Sequence, residues 1–147
     1  MRVLIDGDGC PVTRLTAELC ASAHIPCLIF CNTAHEFDIP GTQTILCDKG
    51  ADSADFVLTA KALPGDLAVT QDYGLAAMLL SRSVRVLHQD GWEYTSQNID
   101  LLLAQRHAAR KLRAAGKHLK GPGKRSKEQD AAFRQALAAI LPSKGTP

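Results

Sequence analysis

Aromatic residues are scarce in this chain. One Trp, two Tyr and four Phe make up 5% of its 147 residues, so a core has to be built from Leu, Ala, Val and Ile. Long apolar runs are missing as well; none approaches the roughly 18 residues of a membrane span. The N-terminus lacks the apolar stretch and small-residue cleavage site of a secretory signal and enters a short strand-like run ending at Asp6. Cysteine is present but odd in number: five residues (10, 20, 27, 31 and 47), all in the first third. Without a signal, that pattern predicts reduced thiols and a cytoplasmic protein. Cys27 and Cys31 have no matching His or Cys pair to complete a zinc site and read as buried structural thiols. No internal repeat occurs. A hydrophobic content of 46% with 22% charged residues excludes wholesale disorder.

Acidic residues all but vanish after residue 100. Residues 1–100 carry 6 Lys+Arg and 13 Asp+Glu, a net of −7; residues 101–147 carry 11 and 2, a net of +9, leaving the whole chain at +2. An acidic body predicts something cationic held there, and a basic tail predicts an anionic partner. The length suits a single domain over residues 1–147, with the acidic part as its α/β body and residues 101–147 as a basic helical extension.

Short apolar runs at Val3–Ile5, Pro26–Cys31, Thr44–Cys47, Leu67–Thr70 and Val84–Leu87 alternate with helical patterns. Pro11 suits a first helical turn leading to Leu15, Leu19 and Cys20. A second helix is expected over Ala51–Leu63 with Phe56, Ala60 and Leu63 in register, and a short third over Leu75–Leu80. This alternation predicts parallel strands joined by crossover helices, a three-layer α/β/α sheet of about five strands. Asn98–Ala115 then reads as a long helix ending in Arg106, Arg110, Lys111 and Arg113. Lys117–Lys127 reads as a mobile loop. Ser126 is placed to N-cap a last helix that carries Phe133, Leu137 and Ile140 on one face.

Ligands of open parallel sheets bind beyond the carboxyl ends of the strands. Asp6 and Asp8 follow the first strand, Asp52 and Asp55 open the helix after the third, and Asp72 follows the fourth. Clustered carboxylates repel and call for cations; oxygen-only ligands suit Mg²⁺ or Mn²⁺, and the matching reaction is phosphodiester hydrolysis. Each residue also has a plainer reading. Asp8 and Asp72 precede helices and suit N-caps, and Asp52 with Asp55 has capping-box spacing. Asp6 ends a strand with no helix to cap. Asn32 and Thr70 stand at strand exits, placed to orient a water or a ligand. Cys10 lies beside negative charges that raise its pKa, against a role as nucleophile. Trp92 and Tyr94 read as core rather than as base-stacking rings.

Four ordered blocks resemble the YaiI/YqxD family, also called UPF0178. They are Asp6-Gly7-Asp8-Gly9-Cys10-Pro11-Val12, Gly50 to Asp55, Gly65 to Ala76, and Asp90 to Thr95 followed by Asn98-Ile99, and the resemblance extends over nearly the whole chain. The resemblance implies a PIN-like fold, from a superfamily of metal-dependent nucleases, with Asp6, Asp8, Asp52, Asp55 and Asp72 as the acidic cluster. The tail departs from the family pattern. Gly121-Pro122-Gly123 is flanked by lysines, and Asp130-Ala131-Ala132-Phe133 lacks the arginine of the family's Asp-Arg-x-x-Phe element.

These readings lead to a Mg²⁺- or Mn²⁺-dependent nuclease acting on RNA or another nucleic acid. Asp6, Asp52 and Asp72 would be the main metal ligands, with Asp8 and Asp55 supporting a second metal or a water. Arg106, Arg110, Lys111, Arg113, Lys117 and Lys120 would hold phosphates. Two alternatives stay open: a haloacid-dehalogenase-like phosphohydrolase with Asp6 as nucleophile, against which Cys10 and the short chain count, and a non-catalytic RNA-binding module whose carboxylates only cap helices.

Overall fold

The unbroken apolar run Val3-Leu4-Ile5 forms the central part of a sheet, β1 (Val3–Asp6). The computed structural model describes residues 1–31, 39–47, 53–119 and 123–142. After β1 come α1 (Thr13–Ser22), β2 (Cys27–Cys31), β3 (Thr42–Leu46), α2 (Ser53–Lys61), β4 (Leu67–Val69), α3 (Tyr73–Leu80), β5 (Arg85–Leu87), β6 (Glu93–Tyr94), α4 (Ile99–Ala114) and α5 (Lys127–Ile140). The result is a mixed α/β fold with a mostly parallel sheet ordered β3-β2-β1-β4-β5-β6. β1 pairs with β2 through Val3↔Cys27 and Ile5↔Ile29, and with β4 through Val3↔Leu67 and Ile5↔Val69.

Alternate residues of each strand point to opposite sides of a sheet. Val3, Ile5, Ile29, Leu67 and Val69 accordingly pack with Ala17 and Cys20 of α1 and with Phe133 and Leu137 of α5. Leu4, Phe30, Ala68 and Val86 pack with Leu58 of α2, Leu75 and Leu79 of α3 and Ile99 of α4. Leu and Val with small residues do most of the filling, as the low aromatic content requires. The five cysteines form no disulfide with one another, and Cys20, Cys27 and Cys31 are buried. Ser126 caps α5 in a capping box with Gln129, as its position predicts.

Three expectations need correction. The sheet has six strands, because Gly91 (φ +92°) turns the chain back and β6 pairs antiparallel with β5 through Val86↔Tyr94. A two-residue strand carries no periodic signal. Helix α1 starts at Thr13, two residues after Pro11. The buried face of α2 is Ala54 and Leu58, continued by Ala62, whereas Phe56 (66% exposed) and Leu63 (56%) face outward. Small alanines let this helix lie close on the sheet, and the bulkier register is turned to solvent. Among the described residues, no helix is long and apolar enough to cross a membrane.

Candidate carboxylate site at the sheet edge

The chain winds outward from β1 to β2 and β3, then returns to the other side of β1 for β4. The strand order therefore reverses between β1 and β4, and at such a switch point the crossovers leave in opposite directions and open a crevice beyond the strand ends. Asp6 closes β1 at this crevice, and Thr70 and Asp72 follow β4 across from it.

Thr70 is buried, and its Oγ1 donates to Asp6 Oδ2 (2.9 Å) while accepting from the Asp72 N–H (3.0 Å). Burial pushes the Asp6 carboxyl up to about 6. The Thr70 hydrogen bond works against that rise, and the nearby charges of Asp72 and Asp8 add to it. Asp72 has extended backbone and caps α3, its Oδ1 accepting from Gly74 N (2.9 Å) and Leu75 N (3.2 Å). The capping reading of Asp72 thus holds as geometry, and it fixes one carboxylate oxygen beside the crevice. The N-cap position of α1 is taken by Val12, four residues after Asp8. Asp55 stands in the first turn of α2, which follows the parallel strand β3 and so begins at the same edge. Asp52, Asn32 and Lys120 lie outside the described residues.

The structure therefore brings Asp6, Asp8 and Asp72 into electrostatic contact. Among the described residues, no three His, Cys, Asp or Glu side chains converge closely enough to hold a metal ion. The donors that do meet are all carboxylate oxygens, one of them desolvated and repelled by its neighbours. Carboxylate oxygen is the ligand type of a hard divalent cation, and Mg²⁺ keeps several waters and takes only one or two protein carboxylates. Cys10 is raised as expected, but burial is the main cause; the Thr13 hydroxyl opposes it, and the Asp6 and Arg125 charges make smaller, opposite contributions.

Of the basic residues, Arg106 reaches the site. Its Nη1 lies 3.4 Å from Asp72 Oδ1, and the two residues line a cleft of about 290 Å³ with Gln71 and Tyr73. Arg110, Lys111, Arg113 and Lys117 are exposed, and Lys117 lies past the end of α4. Arg106, Arg110 and Arg113 follow helical spacing and share one face.

Sequence reasoning missed a second charged group on the same edge. Arg125 donates from Nη1 to Asp90 Oδ1 (2.8 Å), from Nε to Asp130 Oδ1 (2.6 Å) and from Nη2 to the Gln89 carbonyl (2.6 Å). It ties the start of α5 to the β5–β6 turn. His88 accepts from the Asp90 N–H at Nδ1 (3.0 Å) and stacks on Trp92 (4.3 Å). Burial lowers its pKa, with Asp90 opposing and Arg125 reinforcing that shift. The block Asp90-Gly91-Trp92 marks this turn in the sequence. Its partner lies 35 residues away, so spacing alone gives no sign of the pair.

The sequence blocks and this edge can be set beside known proteins. A "UPF0178 protein" of Exiguobacterium sibiricum is 42% identical over 144 residues, 98% of this chain and 99% of that protein. A "UPF0178 protein" of Alkaliphilus oremlandii is 39% identical over 141 residues, 96% of this chain and 91% of that protein. One from Ruminiclostridium cellulolyticum is 42% identical over 141 residues, 96% and 92% of the two chains. No solved structure matches. The family profile described as "Uncharacterized BCR, YaiI/YqxD family" spans residues 4–143, from the middle of β1 to just beyond α5, and so takes in both charged groups of the edge. With a profile and full-length relatives in agreement, the chain belongs to the YaiI/YqxD family of UPF0178 proteins.

Proposed function

We propose that this protein is a Mg²⁺- or Mn²⁺-dependent nuclease with a three-layer, PIN-like domain, and that RNA is its substrate. The observation that carries the reading is the position of Asp6 and Asp72: two carboxylates, one desolvated, on either side of the switch point between β1 and β4. Asp6 and Asp72 would hold the cation, which keeps most of its waters; Asp52 would complete the set, with Asp8 and Asp55 supporting a water or a second metal in this reading. A divalent cation there supplies Lewis-acid stabilisation of a phosphoryl oxygen and a more acidic water. Thr70 fixes the orientation of Asp6 through its hydroxyl. Arg106, Arg110 and Arg113 give a single strand a phosphate track that leads to the carboxylates, with binding that tolerates sequence and weakens with salt.

The test is cleavage of single-stranded RNA with Mn²⁺ by the wild type beside Asp6→Asn and Asp72→Asn. Loss of about 100-fold or more in both variants is expected, the scale of removing one electrostatic stabiliser. Equal cleavage by all three would place the activity in a contaminant. The capping role of Asp72 favours a second reading, a non-catalytic RNA-binding module. Titration calorimetry separates the two: no Mn²⁺ uptake at millimolar metal selects the module.

A further inference from the structure

Asp72 Oδ1 has three partners. Two are the N–H groups it caps, and the third is the Arg106 guanidinium at 3.4 Å. The third differs in kind. It is long, it spans 34 residues of sequence, and its side chains are 41% and 33% exposed at the mouth of the Gln71–Tyr73 cleft. An ion pair of this sort is weak, because water screens it and two side chains must be held. Position 74 lies in the first turn of α3 and is glycine, although its backbone is not left-handed. A Cβ there would sit 3.3 Å from Asp72 Oδ1 and 3.6 Å from Arg106 Nη1. The first distance would press the capping oxygen by a few tenths of an ångström, and the second is an ordinary van der Waals contact that leaves the guanidinium where it is. Arg106 is also well anchored at its backbone: Ile99 is buried, and Leu102 and Leu103, one turn before it, pack into the core. The guanidinium can swing while the helix stays in place.

We infer that Arg106 is a displaceable counter-ion built into the chain, holding Asp72 while no divalent cation is bound and passing to a phosphate of the nucleic acid when one is. This regulation of the carboxylate site rests on the metal-dependent reading given above. Guanidinium and cation compete for one carboxylate. A phosphate that draws Arg106 away frees Asp72 for the cation, and a cation on Asp72 frees Arg106 for the phosphate. Each ligand removes the other's competitor, so their binding is coupled positively and reciprocally.

The experiment uses the full-length chain and two readouts: Mn²⁺ binding by calorimetry, and binding of a non-cleavable phosphorothioate hexanucleotide by fluorescence anisotropy with and without Mn²⁺. Arg106→Ala is expected to bind Mn²⁺ alone about two- to fivefold more tightly than the wild type, the range an exposed ion pair is worth. Its affinity for the oligonucleotide should fall, and Mn²⁺ should enhance that affinity less than it does in the wild type. Arg110→Ala removes the same charge one turn away and should leave Mn²⁺ affinity within measurement error, while Arg106→Lys should restore wild-type competition. If the wild type binds Mn²⁺ and Arg106→Ala gains nothing, or gains no more than Arg110→Ala, the counter-ion role is overturned while the metal reading stands. If the wild type takes up no Mn²⁺, both fall together.

Discussion

Thr70 Oγ1 lies 2.9 Å from Asp6 Oδ2 and joins the end of β1 to the loop after β4 at the point where the sheet reverses direction. The same hydroxyl oxygen accepts the Asp72 N–H, so one side chain of 2% exposure serves both carboxylate residues. Thr70→Val keeps the shape and removes both bonds. A cost of about 1–3 kcal/mol is expected in urea unfolding, because a buried N–H and a desolvated carboxylate each lose a partner. Thr70→Ser should recover most of it. Since the Thr70 bond holds the Asp6 carboxyl down, an NMR titration should find Asp6 higher in Thr70→Val than in the wild type.

Asp6 itself makes stability fall with pH. Its carboxyl is raised to about 6 when folded, against about 3.9 for an unperturbed Asp, so the folded state binds the proton more tightly. Stability is then greatest below about pH 4 as far as this group is concerned, and declines between about 4 and 6. Asp6→Asn removes that decline. By pH 7 the variant should be more stable on the order of 2 kcal/mol, and near pH 4 the two should converge. Urea titrations at pH 4, 5, 6 and 7 check this. A stabilising substitution that abolishes Mn²⁺ uptake would mark a residue kept for its site at the expense of the fold.

The opposite end of the same two strands behaves in the reverse way. Arg2 Nη2 lies 2.7 Å from Asp66 Oδ2, and Asp66 also accepts from the Arg2 and Leu63 N–H groups. Burial works to raise the Asp66 carboxyl, but the Arg2 guanidinium and these N–H groups together hold it below the usual carboxylate range. Its contribution is therefore present at neutral pH and is lost as pH falls below about 4. Asp66→Ala should cost about 2–3 kcal/mol by removing the acceptor of two N–H groups and the carboxylate partner of Arg2, which keeps its bond to the Lys61 carbonyl. It should leave Mn²⁺ affinity at the other end of the strands unchanged, which calorimetry on the folded variant measures.

How much of this was legible in the sequence depended on the range of the interaction. The strands of β1, β2, β4 and β5 could be read because buried parallel strands are short unbroken apolar runs, and the Ser126 cap because its partner is three residues away. The buried face of α2 was misread. Ala54, Leu58 and Ala62 fall on one helical stripe and Phe56, Ala60 and Leu63 on another, and only the sheet decides which stripe faces inward. At the edge, the rule that ligands gather at strand ends pointed to Asp6, Thr70 and Asp72. It could not show that the strand order reverses between β1 and β4, because order in a sheet is a tertiary property. The Arg125–Asp90 and Arg106–Asp72 pairs span 35 and 34 residues, beyond any periodic signal.

Gly91 offers the sharpest test of how α5 is joined to the sheet. Its φ of +92° is left-handed, and a Cβ there would stand 2.6 Å from the Ala132 carbonyl oxygen and 2.7 Å from its carbon, atoms of the α5 backbone. Gly65 has nearly the same φ, +91°, with nothing within 4 Å of the same position. Gly65→Ala therefore carries the conformational strain alone and should cost about 1–2 kcal/mol. Gly91→Ala carries that strain and also has to push α5 away from the β5–β6 turn, loosening Phe133 and Leu137 in the core and the Arg125–Asp90 bond. Backbone cannot yield as a side chain can, so the cost should exceed that of Gly65→Ala by about 2 kcal/mol or more. Parallel urea unfolding of the two variants measures the difference, with hydrogen exchange at the Phe133 and Leu137 amides reporting whether α5 is the part released. Equal losses in the two variants would mean that the close approach of Gly91 to Ala132 contributes nothing to holding α5.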